Sequence, residues 1–194
     1  MNYGNDFVPT VLWLIGPAGS GKSVAAARLK PYFCHHLDQD QLFTELLLHN
    51  GISLDFRRQN ELERSRSNEL RTEAALASWA HVPNWIANMQ SFLIETTGDK
   101  PHNLRECVDR YRTSGYRNQA IIFNPSLEVC LQQNRNRQRV LPEDIVITTW
   151  RKLNEYLSDG KYKEIFGIEQ LNVVQNPIEF DAGQWYEQTL GGRE

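Results

Sequence analysis

The chain has 194 residues, 40% of them hydrophobic and 23% charged, which indicates a single globular domain (residues 1–194) with a full hydrophobic core. Its formal net charge of −3 excludes a uniformly basic nucleic-acid-binding protein, so contact with nucleic acid needs a local basic patch. No apolar run approaches the roughly 18 residues of a membrane span, and residues 1–9 lack the basic start of a secretory signal.

Along the first half of the chain, short apolar runs alternate with helical patterns. The predicted elements are, in order, a buried strand over 10–15, a helix over 22–29, a short strand over 33–37, a helix over 40–49, and one or two surface helices over 56–80. The last of these lies within a charged helical insert, defined here as residues 49–88. Pro83 is predicted to interrupt the helical pattern there.

The second half continues the alternation. Its predicted elements are a strand over 91–96, a helix over 102–113, a strand over 119–123, a helix around 127–131, a helix over 142–157 and a weak strand over 172–175. Strands that alternate with helices predict a parallel sheet covered on both faces. The predicted fold is therefore an α/β three-layer sandwich.

A glycine-rich motif follows the first predicted strand directly and leads into the first predicted helix. It consists of Gly16, Pro17, Ala18, Gly19, Ser20, Gly21, Lys22 and Ser23. This segment, called the phosphate loop below, fits the pattern G-x-x-x-x-G-K-[ST] in its required strand–helix context. In that pattern backbone N–H groups surround phosphate oxygens, the lysine reaches the β- and γ-phosphates, and the Ser23 hydroxyl coordinates Mg²⁺. The sequence therefore predicts a site for ATP, or another nucleoside triphosphate, with Mg²⁺.

The remaining motifs narrow the class of nucleotide-binding protein. The N-K-x-D and D-x-x-G motifs of a GTPase do not occur in the sequence. A mechanical AAA-type ATPase needs a strand that ends in Asp-Glu, whereas the third strand here ends in Glu95-Thr96. A kinase for a small molecule or a nucleic acid is therefore favoured. The alternative of another class is a non-catalytic nucleotide-binding module with a regulatory or toxin-like role.

A kinase needs a carboxylate that accepts the proton of the attacking hydroxyl. Asp38 and Asp40 follow the second predicted strand, and the carboxyl ends of parallel strands border the ligand crevice. Either aspartate is a candidate base, and the alternative for Asp40 is a helix N-cap without a catalytic role. Glu95 ends the third strand and is a candidate for holding Mg²⁺ through water or for orienting the acceptor.

An arginine-rich segment, called the lid below, spans residues 134–142. Its arginines, Arg135, Arg137 and Arg139, occupy alternate positions and suit phosphate contacts. If the segment is helical, Arg135 and Arg139 share a face and hold the transferred phosphate, while Arg137 faces solvent or reaches the acceptor. A solvated charged surface is the alternative.

These motifs together resemble the phage polynucleotide-kinase-like P-loop kinases. The resemblance is carried by residues 16–23, 38–40 and 135–146. It implies that Asp40 is the general base, that Arg139 is the lid arginine with Arg135 nearby, and that Glu95 contacts the acceptor. Phe43 stands where that family has an arginine that contacts a substrate phosphate.

A second set of segments resembles a group of phage-encoded P-loop kinases. It comprises residues 92–98, 115–116, 124–129 and 166–167. Some members of that group phosphorylate the 5-hydroxymethyl group of 5-hydroxymethyluracil in phage DNA, so the resemblance implies DNA as the substrate, with the 5′-hydroxyl of a polynucleotide as the other candidate acceptor. The scattered Cys34, Cys107 and Cys130 favour buried thiols in a reducing, cytoplasmic compartment, which the resemblance places in an infected host cell.

Overall fold

Five strands form one parallel sheet in the computed structural model, which describes residues 8–191. They are β1 (Thr10–Ile15), β2 (His35–Leu37), β3 (Phe92–Thr96), β4 (Arg117–Phe123) and β5 (Leu171–Val174). Their order in the sheet is β2-β3-β1-β4-β5, and all four pairings are parallel. The predicted parallel sheet with helices on both faces is confirmed.

The central strand β1 explains why the sheet forms here. All six of its residues are buried, and consecutive side chains enter two different cores. Trp13 and Ile15 pack into the larger core, whereas Leu12 and Leu14 pack into the core on the other face. A strand buried on both faces shows a continuous apolar run rather than alternation, as the sequence does.

Helices flank the sheet and complete the three layers. They are α1 (Lys22–Leu29), α2 (Gln39–His49), α3 (Glu61–Trp79), α4 (Val82–Ala87), α5 (Pro101–Thr113), α6 (Leu127–Asn136), α7 (Glu143–Ser158), α8 (Lys161–Phe166) and α9 (Ala182–Tyr186). The short helices α8 and α9 were not predicted from the sequence. The predicted interruption of the helical pattern is confirmed, because α3 ends at Trp79 and α4 begins at Val82. Pro83 itself lies in the first turn of α4, where its missing N–H is not needed. Within residues 8–191, no helix has the length and apolar character that a membrane crossing requires.

The insert contributes one long helix, α3, which packs against α2. A capping box starts α3, since the Asn60 side chain accepts from the Glu63 amide and the Glu63 side chain accepts from the Asn60 amide, both at 2.9 Å. Phe43 of α2 and Leu70 of α3 are buried in the small core that joins the two helices. The insert therefore packs on α2, the helix that is capped by Asp38 and contains Asp40.

The expectation of buried cysteines holds for one of the three. Cys130 is buried, Cys107 is half-buried and Cys34 is exposed. Cys34 lies between a 3₁₀ turn and β2, where the strand at the sheet edge offers less cover than the centre of the sheet. Burial of each thiol thus depends on the element that carries it and on the packing around that element, which composition does not predict.

Candidate active site

The phosphate loop joins β1 to α1 at the carboxyl edge of the sheet. Its backbone is tied to the neighbouring strand, because the Gly16 amide donates to the Thr96 carbonyl at 3.2 Å. Gly19 and Gly21 have φ angles of +75° and +83°, a left-handed conformation that favours glycine. A Cβ at Gly19 would also lie under 3.0 Å from the carbonyl oxygen of Cys130 in α6. The turn therefore requires glycine at Gly19 and Gly21, and the close approach to α6 is a second requirement for glycine at Gly19.

Lys22 is the first residue of α1, and its side chain folds back across the loop. The ammonium donates to the carbonyls of Gly16 at 2.5 Å and Pro17 at 2.9 Å. Burial lowers the pKa of Lys22, while the negative charges of Glu95 and Asp40 act in the opposite direction. The lysine thus places a positive charge within the loop itself, where the phosphates of a nucleotide would lie.

Ser23 and Glu95 form the group with the chemistry for Mg²⁺. The Ser23 hydroxyl donates to Glu95 Oε2 at 2.9 Å, and the other carboxylate oxygen, Oε1, lies 3.0 Å from Nε2 of His36. Ligand atoms of His36, Asp38 and Glu95 all lie within 4.8 Å of one another. Mg²⁺ prefers oxygen ligands with a few waters retained, so the hydroxyl and carboxylate next to the phosphate loop fit this ion.

The two candidate aspartates have different environments. Asp38 caps α2, because its side chain accepts from the Gln41 amide at 2.9 Å. The alternative that Asp40 is the cap is therefore wrong. Asp40 lies in the first turn of α2, with its side chain 71% exposed and 2.6 Å from an amino group of Arg139.

The environments also push the pKa values of these two carboxyl groups in opposite directions. Burial raises the pKa of Asp38, and the nearby charge of Glu95 adds to this. Partial desolvation by itself would raise the pKa of Asp40, but Arg139 outweighs it and the pKa of Asp40 lies below its ordinary value. The charge of Lys22 contributes to the same lowering. Asp40 is therefore an accessible, ionised carboxylate beside the phosphate loop.

The lid is helical only as far as Asn136, so Arg135 is in a helix and Arg137 and Arg139 are not. Helix α6 ends at Asn136, and Arg137 is extended, with φ −87° and ψ 157°. Arg135 is exposed on α6 and pairs with Glu143 at 2.8 Å. Arg137 is half-buried, and its pKa is lowered by burial and by the charge of Arg139, with Asp40 and Glu95 acting in the opposite direction. The helical alternative is therefore wrong, and the lid arginines close to Asp40 are Arg137 and Arg139.

Several contacts at this site had no clear signal in the sequence. The guanidinium groups of Arg71 and Arg139 lie 5.2 and 5.3 Å from the centre of the Phe43 ring. Arg71 belongs to α3, the long helix of the insert. His36, which contacts Glu95, is adjacent to His35 in β2, and consecutive residues of a strand face opposite sides of the sheet. His35 accordingly stacks on Trp85 instead, with ring centres 4.5 Å apart.

The fold and the loop together define a P-loop kinase-like class of protein. Three features define this class: a parallel sheet with β3 and β4 on either side of β1, a glycine-rich loop after β1, and a lysine at the start of α1. Residues 11–158 match a family model, AAA_33, described as an AAA domain, and the chain belongs to this family. That description names no acceptor and no reaction.

Solved structures share the fold at low sequence identity. A putative kinase from Chloroflexus aurantiacus J-10-fl is 13% identical with a TM-score of 0.60, over 96% of this chain and 98% of that one. A chain of the Pnkp1/Rnl/Hen1 RNA repair complex is 16% identical with a TM-score of 0.55, over 82% of this chain and 48% of that one. Shikimate kinase from Acinetobacter baumannii, in complex with shikimate, is 17% identical with a TM-score of 0.50, over 95% of each chain. No curated protein matches significantly.

Proposed function

We propose that the protein is a kinase that transfers the γ-phosphate of ATP, with Mg²⁺, to a hydroxyl group carried by DNA. The observation that carries the proposal is the position of Asp40. Its carboxylate is exposed to an incoming acceptor and close enough to Lys22 for the two charges to influence each other. A phosphate-binding lysine and an accessible carboxylate at one sheet edge are the two parts that phosphoryl transfer to an alcohol needs.

The residues would divide the reaction as follows. Backbone amides of the phosphate loop and Lys22 hold the β- and γ-phosphates, and Ser23 with Glu95 holds Mg²⁺. The bound ion offsets the negative charge of the phosphates. Asp40 would accept the proton of the acceptor hydroxyl while the oxygen of that hydroxyl forms a bond to the γ-phosphorus. The bond from that phosphorus to the bridging oxygen breaks, and ADP leaves.

Two observations favour a nucleic acid as the acceptor. The side of the site next to Asp40 is rich in cations. Arg71, Arg137 and Arg139 each lie close enough to the Asp40 carboxylate to interact with its charge. Positive groups beside the base suit an acceptor hydroxyl attached to a phosphate backbone. The motifs that resemble polynucleotide kinases and 5-hydroxymethyluracil DNA kinases support the same choice. Within this proposal the acceptor is the 5-hydroxymethyl group of the modified base or the 5′-hydroxyl of a strand.

A transfer assay with γ-labelled ATP tests the proposal. The acceptors are 5-hydroxymethyluracil DNA, 5′-hydroxyl DNA, 5′-hydroxyl RNA, free nucleosides and shikimate. We expect label to enter one of the two DNA acceptors in the presence of Mg²⁺. Label in a nucleoside or shikimate alone would refute the DNA acceptor and retain the kinase, and label in none of the acceptors would refute the kinase for this set of acceptors.

Asp40→Asn tests the base directly. A positioned general base contributes about 10² to 10⁴ in rate, so turnover should fall by that factor while ATP affinity changes little. Asp159→Asn, at the exposed end of α7, is the matched control and should behave as the unmodified protein. If Asp38→Asn shows the loss in turnover and Asp40→Asn does not, the base is Asp38.

A further inference from the structure

The segment that carries Arg139 is held in place from two sides. The buried Asn134 side chain donates to the Leu141 carbonyl at 2.8 Å and accepts from the Leu141 amide at 3.2 Å. On the other side the Val140 amide donates to the Leu54 carbonyl, and the Val140 carbonyl accepts from the Phe56 amide, both at 3.0 Å. The lid backbone next to Arg139 is thus bonded to α6 and to the insert at the same time.

The Arg139 side chain is enclosed as well. It is 6% exposed, and its guanidinium lies 5.3 Å from the centre of the Phe43 ring. Its contact with a carboxylate is the pair with Asp40, at 2.6 Å. A buried guanidinium depends on such a partner, because an unpaired buried charge is costly. Asp40, by contrast, keeps most of its side chain exposed. The buried Arg139 guanidinium therefore holds one oxygen of the carboxylate, and the rest of the carboxylate is open to an acceptor.

Arg137 has the opposite character. It is half-buried, and its side chain lies within electrostatic reach of Lys22 and Glu95, the residues of the phosphate and metal sites. Among the described residues Arg139 is the lid arginine in an ion pair with the candidate base, whereas Arg137 is in no ion pair.

We propose that Arg139 is a positioning residue that holds the Asp40 carboxylate toward the acceptor. This inference rests on the proposed kinase function. It reverses the assignment that the family resemblance implies, in which Arg139 contacts the phosphate.

A double-mutant cycle separates the two roles. A residue that acts through Asp40 loses its effect once Asp40 is gone, whereas a residue that acts on the phosphate does not. Arg139→Met should lower kcat about 10-fold or more in the unmodified protein and by less than about twofold in the Asp40→Asn background. Arg137→Met is the comparison, because Arg137 has no ion pair with Asp40 among the described residues, and any loss of kcat that it causes should be similar in both backgrounds. The assay uses the DNA acceptor that takes label in the panel above.

Nucleotide binding gives a second readout that does not need the acceptor. By calorimetric titration with ATP in Mg²⁺, Arg139→Met should leave Kd within about twofold, because its guanidinium is committed to Asp40. A loss of kcat that is equal in both backgrounds, or ATP binding weakened by much more than twofold, would overturn the inference. Arg105→Met removes an exposed ion pair between α5 and α8, with Glu164, and controls for the loss of an arginine.

Stability is followed by thermal melting, since Arg139 is buried. If Arg139→Met does not fold, the same cycle is run with Arg139→Lys, which keeps the charge and loses the planar guanidinium. The expected non-additivity with Asp40→Asn is the same, and additive losses would overturn the inference. An unmodified protein that transfers no phosphate to any acceptor would instead refute the proposed function, so the two failures are distinguishable.

Discussion

Substitution of Gly19 by alanine tests whether the phosphate loop depends on its close approach to α6. Gly19 has φ +75°, and a Cβ built there would lie under 3.0 Å from the Cys130 carbonyl oxygen and 3.2 Å from the Asn134 amide nitrogen. Both neighbours are backbone atoms of one helix, so no side chain can rotate away. Alanine therefore adds two costs, the left-handed backbone and the collision with α6.

Gly51 offers a matched control for the backbone cost alone. Its φ is +66°, and no atom of the described residues lies within 4 Å of a Cβ built on it. A left-handed alanine costs about 1–2 kcal/mol, so Gly51→Ala should lose about that much stability. Overpacking adds about 1–3 kcal/mol, which brings the expected loss for Gly19→Ala to about 2–5 kcal/mol.

Thermal melting and ATP titration measure the two consequences. At about 2–4 °C per kcal/mol for a chain of this size, Gly19→Ala should melt about 2–12 °C below Gly51→Ala. The loop must also move away from α6 to relieve the collision, so ATP affinity should fall for Gly19→Ala and stay unchanged for Gly51→Ala. Equal melting temperatures together with unchanged ATP affinity would refute the reasoning, because the collision would then have no effect.

Three further substitutions test the site. Lys22→Ala should abolish phosphoryl transfer with little change in melting temperature, because the lost charge serves the phosphates; near-normal turnover in the folded variant would contradict this. Asn134→Leu should lower stability, since leaving the two Leu141 backbone groups unpaired costs about 1–3 kcal/mol each. A melting curve like that of the unmodified protein would show that these two hydrogen bonds do not stabilise the lid. Glu95→Gln should raise the Mg²⁺ concentration needed for half-maximal turnover, because Ser23 then shares the ion with a neutral amide. A Mg²⁺ titration measures it, and an unchanged midpoint would exclude Glu95 from the metal site.

Features that depend on neighbouring residues were predictable from the sequence. The buried run of β1 and the spacing of the phosphate loop are local patterns, since a strand, a tight turn and a helix start are each set by a few consecutive residues. The alternation of strands and helices then limited the fold to a parallel sheet, because parallel strands need crossover connections. The placement of Asp38, Asp40 and Glu95 at one sheet edge follows from the same rule, as parallel strands end together.

The pairing within the site depended on contacts between distant parts of the chain. Arg139 pairs with Asp40, which lies about half the sequence away. Helix α6 ends at Asn136, and the backbone that follows is bound by the Asn134 side chain and by the insert. No periodicity encodes such a contact. The sequence by itself therefore determined the phosphate loop, the sheet and the set of candidate side chains. Only the tertiary structure decided that Asp40 pairs with Arg139 and that the lid backbone binds the insert, because those outcomes depend on which helix ends and loops pack together.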